Sequence, residues 1–381
     1  MGTIAAEAFG AVDTPFALVD EARLNRNIER MNGVAGRHGV RFRPHVKTAK
    51  CREIARKIFG GTGPITVSTL KEAEYFLADG FDDILYAVSV SPAKLERARS
   101  IANTGAKLTV LVDSVAAARA VADFQRTPPA LGVAIEIDSD GRRAGLKPDD
   151  PSVVDIAEIL EGAPAVRFWG VVTHAGGSYD CIDEDGIRRM AEQERVAVVE
   201  AAEKLRARGF ACPNVSVGST PTLTFAEHLS GVTEARAGVY VFQDLVMANL
   251  GVCTLDDIAL SVMATVISHR PDKGWIIVDA GGLALSKDHG TAEQARDYGY
   301  GAVCDADGRL LPGLTVGKVN QEHGLITAAD EAAAATLYSI LPIGARVRIL
   351  PNHACMTAAA YDVYQVIAGE AARQWGRCNG W

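Results

Sequence analysis

Several things are missing from this chain of 381 residues. No apolar run is long enough to cross a bilayer, so no membrane span is expected. Positive charge is not in excess. The formal net charge is −8, which argues against a nucleic-acid partner. The opening stretch, MGTIAAEAFGAVDTPF, has neither a basic first segment nor a sustained apolar one, so a secretory signal is not expected. Seven cysteines are scattered without a CxxC pair, a pattern that reads as reduced thiols in a cytoplasmic protein rather than a disulfide framework. No low-complexity linker interrupts the chain, and no early GxGxxG marks a dinucleotide-binding open sheet.

What is present is repetition of a short apolar strand followed by an amphipathic helix. After FALVD (16–20) comes a helix on which Leu24, Ile28, Met31 and Val34 recur at helical spacing, ending near Gly39. Strand-like runs follow at 40–46, 64–70, 82–88, 106–113, 131–138, 166–174, 213–220 and 232–240. Helical stretches such as PAKLERARSIAN, VAAARAVADF and RRMAEQERVAVVEAAEKLRARG separate most of them. Leaving out 16–20, that makes eight strands, the number that closes a parallel (β/α)₈ barrel. After about residue 250 the character changes to β-type runs split by Gly, Asp and Pro: IALSVMATVISHR, GWIIVDAGG, LTVGKVNQEHGLIT and ARVRILPNHACMT. The expectation is a barrel over 21–250, followed by a β domain over 251–381 that residues 1–20 join.

Active sites of such barrels sit at the C-terminal ends of the strands. In RFRPHVKTAK (41–50) the alternating positions Arg41, Arg43, His45 and Lys47 share one face of an extended chain. Lys47 then falls at the end of the first barrel strand, with His45 one pleat deeper. A partly desolvated lysine beside other cations suits Schiff-base chemistry, although a lysine snorkelling from a strand end gives the same pattern. SVGSTPT (216–222) closes the seventh strand. There Thr220 and Pro221 read as N-cap and N1 of a helix, so Gly218, Ser219 and Thr220 would offer an anion site. Gly238, after the eighth strand, permits close approach of the backbone. IEIDSDGRRAG ends the fifth strand and places Arg142 and Arg143 between glycines, while THAGGSYD ends the sixth with His174 and Tyr179. In an extended PNHACMT, His353 and Cys355 would face the same way, a credible pair of ligands for a zinc-like ion with coordination positions left open.

Together, RPHVKTAK, ITVSTLKEAE, IEIDSDGRRAG, THAGGSYD, SVGSTPT, EARAGVYVF and ILPNHAC resemble the fold-type III pyridoxal-phosphate enzymes that act on D-3-hydroxy amino acids. That group contains the metal-dependent D-serine dehydratases, D-threo-3-hydroxyaspartate dehydratases and D-threonine aldolases. The resemblance implies an alanine-racemase-like barrel with a C-terminal β domain, pyridoxal 5'-phosphate, and a divalent metal (zinc, or manganese, magnesium or cobalt). It implies a D-amino acid as substrate and a homodimer as the assembly. Lys47 matches the lysine that holds the cofactor aldehyde, and Arg143 the arginine near the cofactor's 3-oxygen. His45, His174 and Tyr179 fall around these. Gly218, Ser219, Thr220, Gly238, Val239 and Tyr240 fall where the family binds the phosphate, and Arg236 where alanine racemases place an arginine on the pyridine nitrogen. His353 and Cys355 match the metal pair. Aldolases of the group resemble His-x-Asp at the metal, so Cys355 points to dehydration. Retro-aldol cleavage and racemisation are the rival chemistries. Arg142, Lys287, Lys318 and His323 are candidates for a substrate's second carboxylate.

Overall fold

A computed structural model describes residues 9–329 and 331–381. They form two compact units, one of the described residues up to Ile28 together with Val239–Asn379, the other of Glu29–Gly238 with Gly380 and Trp381. The first strand, β1 (Phe16–Asp20), lies in the former, and the next eight lie in the latter. These are β2 (Arg41–Phe42), β3 (Ile65–Val67), β4 (Asp83–Ser89), β5 (Lys107–Val112), β6 (Leu131–Ile137), β7 (Val166–Thr173), β8 (Asn214–Val217) and β9 (Glu234–Ala235).

All eight pair in parallel, in the order β2-β9-β8-β7-β6-β5-β4-β3, as the strand count anticipates. The ladder of the first is shorter than the run 40–46, because Pro44 has no N–H to donate. Beyond it the chain changes partner. His45 N donates to Ala237 O at 2.7 Å, while Val46 N donates to Thr66 O and Thr66 N to Pro44 O, both at 2.9 Å. The His45–Thr66 bridge so formed joins the two ends of the sheet into a ring. Strand β6 is buried at all seven positions, as a strand covered on both faces must be. Three helices of this unit start on well-formed caps: Thr69, Ser114 and Asp183 each accept a backbone N–H of the first turn of Leu70–Leu77, Val115–Phe124 and Glu184–Ala207.

The other unit is β-rich. Its strands are β10 (Leu260–Arg270), β11 (Trp275–Val278), β12 (Ala302–Asp305), β13 (Leu310–Val319), β14 (Gly324–Ala328), β15 (Arg346–Leu350), β16 (Val363–Ala368) and β17 (Ala371–Gly376). Six of them, β10-β11-β14-β13-β12-β15, pair antiparallel and return to β10, closing a second, smaller barrel. The long β10 makes this possible. Its first half pairs with β1 and its second half with β11 along the same edge. β1 in turn pairs in parallel with β16, so the first strand joins this sheet as expected. Val262, Ala264 and Val266 of β10 alternate into a core with Ile276, Val303, Val316, Ile326, Val347 and Ile349. The helix Glu331–Ile340, with its alanine run, interrupts a region that the β-type composition reads as nearly helix-free. Among the described residues no helix is long and apolar enough to cross a membrane.

Candidate active site

The turn 46–49 that carries Lys47 follows the ring-closing bridge, on the C-terminal side of the parallel barrel. The four alternating basic residues of RFRPHVKTAK, Arg41, Arg43, His45 and Lys47, divide. Arg43 is buried, 1% exposed, and donates Nε to Glu234 Oε2 and Nη1 to Asp83 Oδ1, both at 2.8 Å. Arg41 is half-exposed and reaches the same Glu234 at 2.6 Å. Glu234 and Asp83 are the first residues of β9 and β4, so both arginines are tied to the end of the barrel opposite Lys47. Only His45 remains beside the lysine. Its pKa is held well below the ordinary histidine value by burial first, then by the charges of Lys47 and Arg236 and by His174. It is a neutral imidazole at physiological pH.

The loops after β8 and β9 meet backbone to backbone. Arg236 N donates to Val217 O at 2.8 Å. Gly218 has φ +149°, and a Cβ there would stand 1.8 Å from Arg236 O, so no other residue fits. The helix that follows, Thr220–Phe225, begins one residue earlier than its proline suggests. Ser219 is the N-cap, because it forms a capping box with Thr222, and Thr220 and Pro221 are N1 and N2. Part of the expected anion cradle is thereby engaged within the protein: Ser219 N donates to Thr222 Oγ1, and Gly218 N to Glu194 Oε1. A Cβ on Gly238 would lie 3.1 Å from His45 O and 3.3 Å from Thr48 Oγ1, so this glycine rests directly on the lysine turn. Val239 and Tyr240, both buried, start a 3-10 turn immediately after it.

His174 and Arg236 complete the group. His174 Nδ1 lies 2.7 Å from Gly218 O, which can only accept, so Nδ1 carries the proton. Burial, opposed by that bond and reinforced by Lys47, Arg143 and Arg236, brings its pKa to about 3, leaving the ring neutral. The Tyr179 ring is tilted at 50° to it with centroids 6.4 Å apart, so the two rings do not stack. Arg236 is buried, with Nη1 donating to Ser216 Oγ and Nη2 to Thr173 O, each at 2.5 Å. Ser216 Oγ in turn donates a hydrogen bond to Glu234 Oε1 at 2.9 Å. Arg143 is half-exposed and 3.6 Å from Glu136, a buried carboxylate whose pKa burial raises. Arg142 pairs with Asp180 at 2.7 Å on the surface.

One buried group lies outside the motifs that the sequence singles out. Glu194 accepts Ala175 N at 2.9 Å and Gly218 N at 3.1 Å on one oxygen, tying the loop after β7 to the loop after β8. A signal for it exists: Ile187, Ala191, Glu194, Val198, Ala202 and Leu205 form one buried stripe, and a carboxylate in an apolar stripe demands a partner.

The β unit holds the other pair. His353 and Cys355 are not in an extended segment, because Pro351 follows the end of β15 and His353 then serves as the N-cap of a short helix, Ala354–Ala358. The two side chains still meet. Burial opposes a charge on His353, but side-chain bonds with Asp288 and Cys355 outweigh it and raise its pKa to about 11. His353 Nδ1 lies 2.7 Å from Asp288 Oδ2, which leaves Nε2 as the nitrogen for a ligand. The turn is held firmly. Asp244 accepts Ala354 N at 2.9 Å, and Asn352 donates to Asp288 O at 3.1 Å and to Gly299 O at 2.6 Å. No cluster of three or more potential metal ligands occurs among the described residues. The donor set is therefore an imidazole and a thiol backed by a carboxylate, a set suited to an ion that keeps open positions.

A lysine among neutral imidazoles and arginines at a barrel mouth, joined in one chain to a β-barrel unit with a His-x-Cys pair, defines an alanine-racemase-like enzyme with an added donor pair. Residues 19–245 match the family "Alanine racemase, N-terminal domain", and residues 259–367 match "Putative serine dehydratase domain". The chain is 52% identical to D-threo-3-hydroxyaspartate dehydratase of Delftia sp. (strain HT23) over 97% of its length and 98% of the relative. It is 33% identical to D-serine dehydratase of Dictyostelium discoideum, covering 93% of each. The solved structure of a cysteine-to-alanine mutant of D-threo-3-hydroxyaspartate dehydratase, in the metal-free form, superposes with a TM-score of 0.95 at 50% identity, covering 100% of both chains. The chain belongs to the family of D-threo-3-hydroxyaspartate dehydratase, D-serine dehydratase and D-threonine aldolase.

Proposed function

We propose that this protein is a dehydratase that removes water from a D-3-hydroxy amino acid, D-threo-3-hydroxyaspartate first among them, to release a 2-oxo acid and ammonia. The observation that carries the reading is the His353–Cys355 pair backed by Asp288, in a chain 52% identical to D-threo-3-hydroxyaspartate dehydratase over nearly its whole length. The metal-free form named for that enzyme's cysteine mutant supports a divalent ion at the pair. With a thiol among the donors, zinc is the first choice, ahead of manganese, cobalt or magnesium. Pyridoxal 5'-phosphate, when bound, supplies the electron sink that makes the substrate's Cα–H acidic. The ion, when bound, supplies Lewis acidity at the β-hydroxyl.

The chain's own residues do the rest. Lys47 Nζ would hold the cofactor and, once displaced by the substrate amine, take the Cα proton. His45 and His174, both neutral, flank the lysine without trapping that proton. Arg236, fixed by Ser216 and Thr173, and Arg143 would face the cofactor ring as positive groups. Gly218, Ser219, Thr220, Gly238, Val239 and Tyr240 line the two loops that would take the phosphate, where Gly218 and Gly238 leave room that a Cβ would fill. His353 Nε2 and Cys355 Sγ would hold the ion. Arg142, Lys287, Lys318 and His323 remain the candidates for the second carboxylate. A cytoplasmic homodimer is part of the proposal, supported by dispersed cysteines that are all free thiols and by the family resemblance.

The test is incubation with D-threo-3-hydroxyaspartate, D-serine and D-threonine, each with and without a chelator. Oxaloacetate or pyruvate with ammonia, lost on chelation and in Lys47→Ala, is the expected outcome. Glycine with an aldehyde would replace this reading with retro-aldol cleavage, and chelator-insensitive interconversion of enantiomers with racemisation.

A further inference from the structure

Of the stretches of the barrel unit that carry the family resemblance, two are bridged to each other, and only one of these two has a role in the reaction proposed above. RPHVKTAK brings Lys47, while ITVSTLKEAE brings no group to the chemistry. The structure joins them at Lys50. This residue has φ +47°, a left-handed conformation that lysine rarely adopts and that glycine or asparagine would enter more readily. Such a backbone persists only where its surroundings hold it. Two bonds do so. Lys50 N donates to Val46 O at 2.7 Å, closing a tight turn around Lys47, and Lys50 Nζ lies 3.1 Å from Glu72 Oε1.

Glu72 is a fully buried carboxylate and is itself fixed by its helix. Its own N–H donates to Thr69 Oγ1 at 3.0 Å, and its carboxylate lies 3.2 Å from both Thr69 Oγ1 and Ser68 N. The other end of the lysine turn is tied to the same segment, since Val46 N donates to Thr66 O at 2.9 Å. Both ends of the turn that presents Lys47 are thus fastened to residues 66–72, one through a strand bond and one through a buried ion pair. An ordinary capped helix start needs no such lysine, and a tight turn needs no such carboxylate.

We infer that Lys50 and Glu72 are positioning residues, a clamp whose task is to hold the turn 46–50 so that Lys47 Nζ meets the cofactor aldehyde and the substrate Cα in register. The inference rests on the assignment of Lys47 as the cofactor lysine. Neither residue touches the reacting atoms in this scheme. Cutting the clamp at Lys50 strands the buried Glu72 carboxylate and lowers stability as well, whereas cutting it at Glu72 leaves a lysine that can reach solvent. In both, misplacement of a reacting group by about 1 Å costs on the order of a hundredfold in rate.

The test uses the full chain and its Lys50→Met, Glu72→Gln and Lys50→Arg variants. Glu72→Gln retains an oxygen to accept Ser68 N–H and an amide that can donate to Thr69 Oγ1, so one variant keeps the helix start. Backbone hydrogen exchange, read without cofactor, should rise about tenfold or more at residues 46–50 in the first two variants and stay near wild type in Lys50→Arg. Exchange in β6 should not move in Glu72→Gln, which removes the buried charge together with the bond. On mixing with pyridoxal 5'-phosphate, the rate of the visible-absorbance change should fall about tenfold or more in Lys50→Met and Glu72→Gln, with recovery in Lys50→Arg. Wild-type exchange and wild-type attachment rates in both cut variants would overturn the inference. Borohydride reduction and peptide mapping of the wild type separate this failure from the other: a cofactor attached elsewhere than Lys47 sinks the lysine assignment, while the exchange measurement still judges the clamp.

Discussion

Replacing Glu234 by alanine tests whether Arg41 and Arg43, which share a face with His45 and Lys47 in the sequence, belong to the closed end of the barrel rather than to the candidate site. The Glu234 carboxylate is fully buried and takes Arg43 Nε at 2.8 Å, Arg41 Nη2 at 2.6 Å and Ser216 Oγ at 2.9 Å. Arg43 is itself 1% exposed, so alanine leaves a guanidinium deep in the barrel with Asp83 as its remaining carboxylate. Stranding one member of a buried pair costs about 3–5 kcal/mol. The surviving Asp83 bond argues for the lower end, about 3 kcal/mol. For a domain of this size each kcal/mol lowers the melting midpoint by about 2–4 °C, so a loss of roughly 6–12 °C is expected. Arg41→Ala removes a half-exposed partner and should cost at most about 1 kcal/mol. Scanning calorimetry, with urea unfolding followed by circular dichroism, measures both. If Glu234→Ala costs under about 1 kcal/mol, or Arg41→Ala as much as Arg43→Ala, the assignment of these arginines to the closed end of the barrel is wrong.

Three further outcomes follow from single positions. Gly218→Ala should lose pyridoxal 5'-phosphate binding in equilibrium titration, because its Cβ would overlap Arg236 O and force apart the loops after β8 and β9. Glu194→Ala should destabilise the barrel by about 2–3 kcal/mol by orphaning two buried N–H groups, whereas Glu194→Gln keeps the accepting oxygen. Burial raises the pKa of Glu194, so its protonated form favours folding, an advantage present below the unfolded carboxylate pKa and lost as pH rises through the folded one. Glu194→Gln should therefore gain on wild type as pH rises from 4 to 8 in urea titrations, and an unchanged difference would refute the buried-charge account. Asp288→Asn should weaken zinc binding by about 10–100-fold in competition titrations against a chromophoric chelator, since the carboxylate behind His353 sets which nitrogen faces the ion.

The barrel is legible in the sequence because most of its strands are apolar runs leading into helices, a pattern that survives errors of a few residues at every boundary. The β unit is legible where apolar runs stand between turn residues, as in β10, β11, β13, β14 and β15. β12 is only Ala-Val-Cys-Asp and β17, AARQWG, is exposed at five of its six positions, so neither stands out without its neighbours. At Ser219 the sequence offers two good caps in succession, and the preference of proline for N1 points to Thr220. The reciprocal bonds of Ser219 with Thr222 decide otherwise and move proline to N2. At His353 the preceding β run suggests that extension continues through PNHACMT, but Pro351 ends it and ACMTA closes into a helical turn.

Partners that lie far along the chain are the part that no motif announces. Lys47, His353 and Cys355 sit in short motifs, and spacing alone nominates them. Asp288 is 65 residues from the histidine it orients, and Glu72 is 22 residues from the lysine it pairs with. No period of a helix or strand spans such intervals, so only the fold brings these groups together. Yet each is a carboxylate facing a group whose position matters more than its identity, and the energetic reason is common to both. A side chain that must present one atom in one direction spends its remaining hydrogen-bonding capacity on its support. For His353 that support is Nδ1 on Asp288, and for the Lys47 turn it is Lys50 on Glu72. Short motifs therefore nominate the atoms that react, while the atoms that aim them come together only when the chain folds.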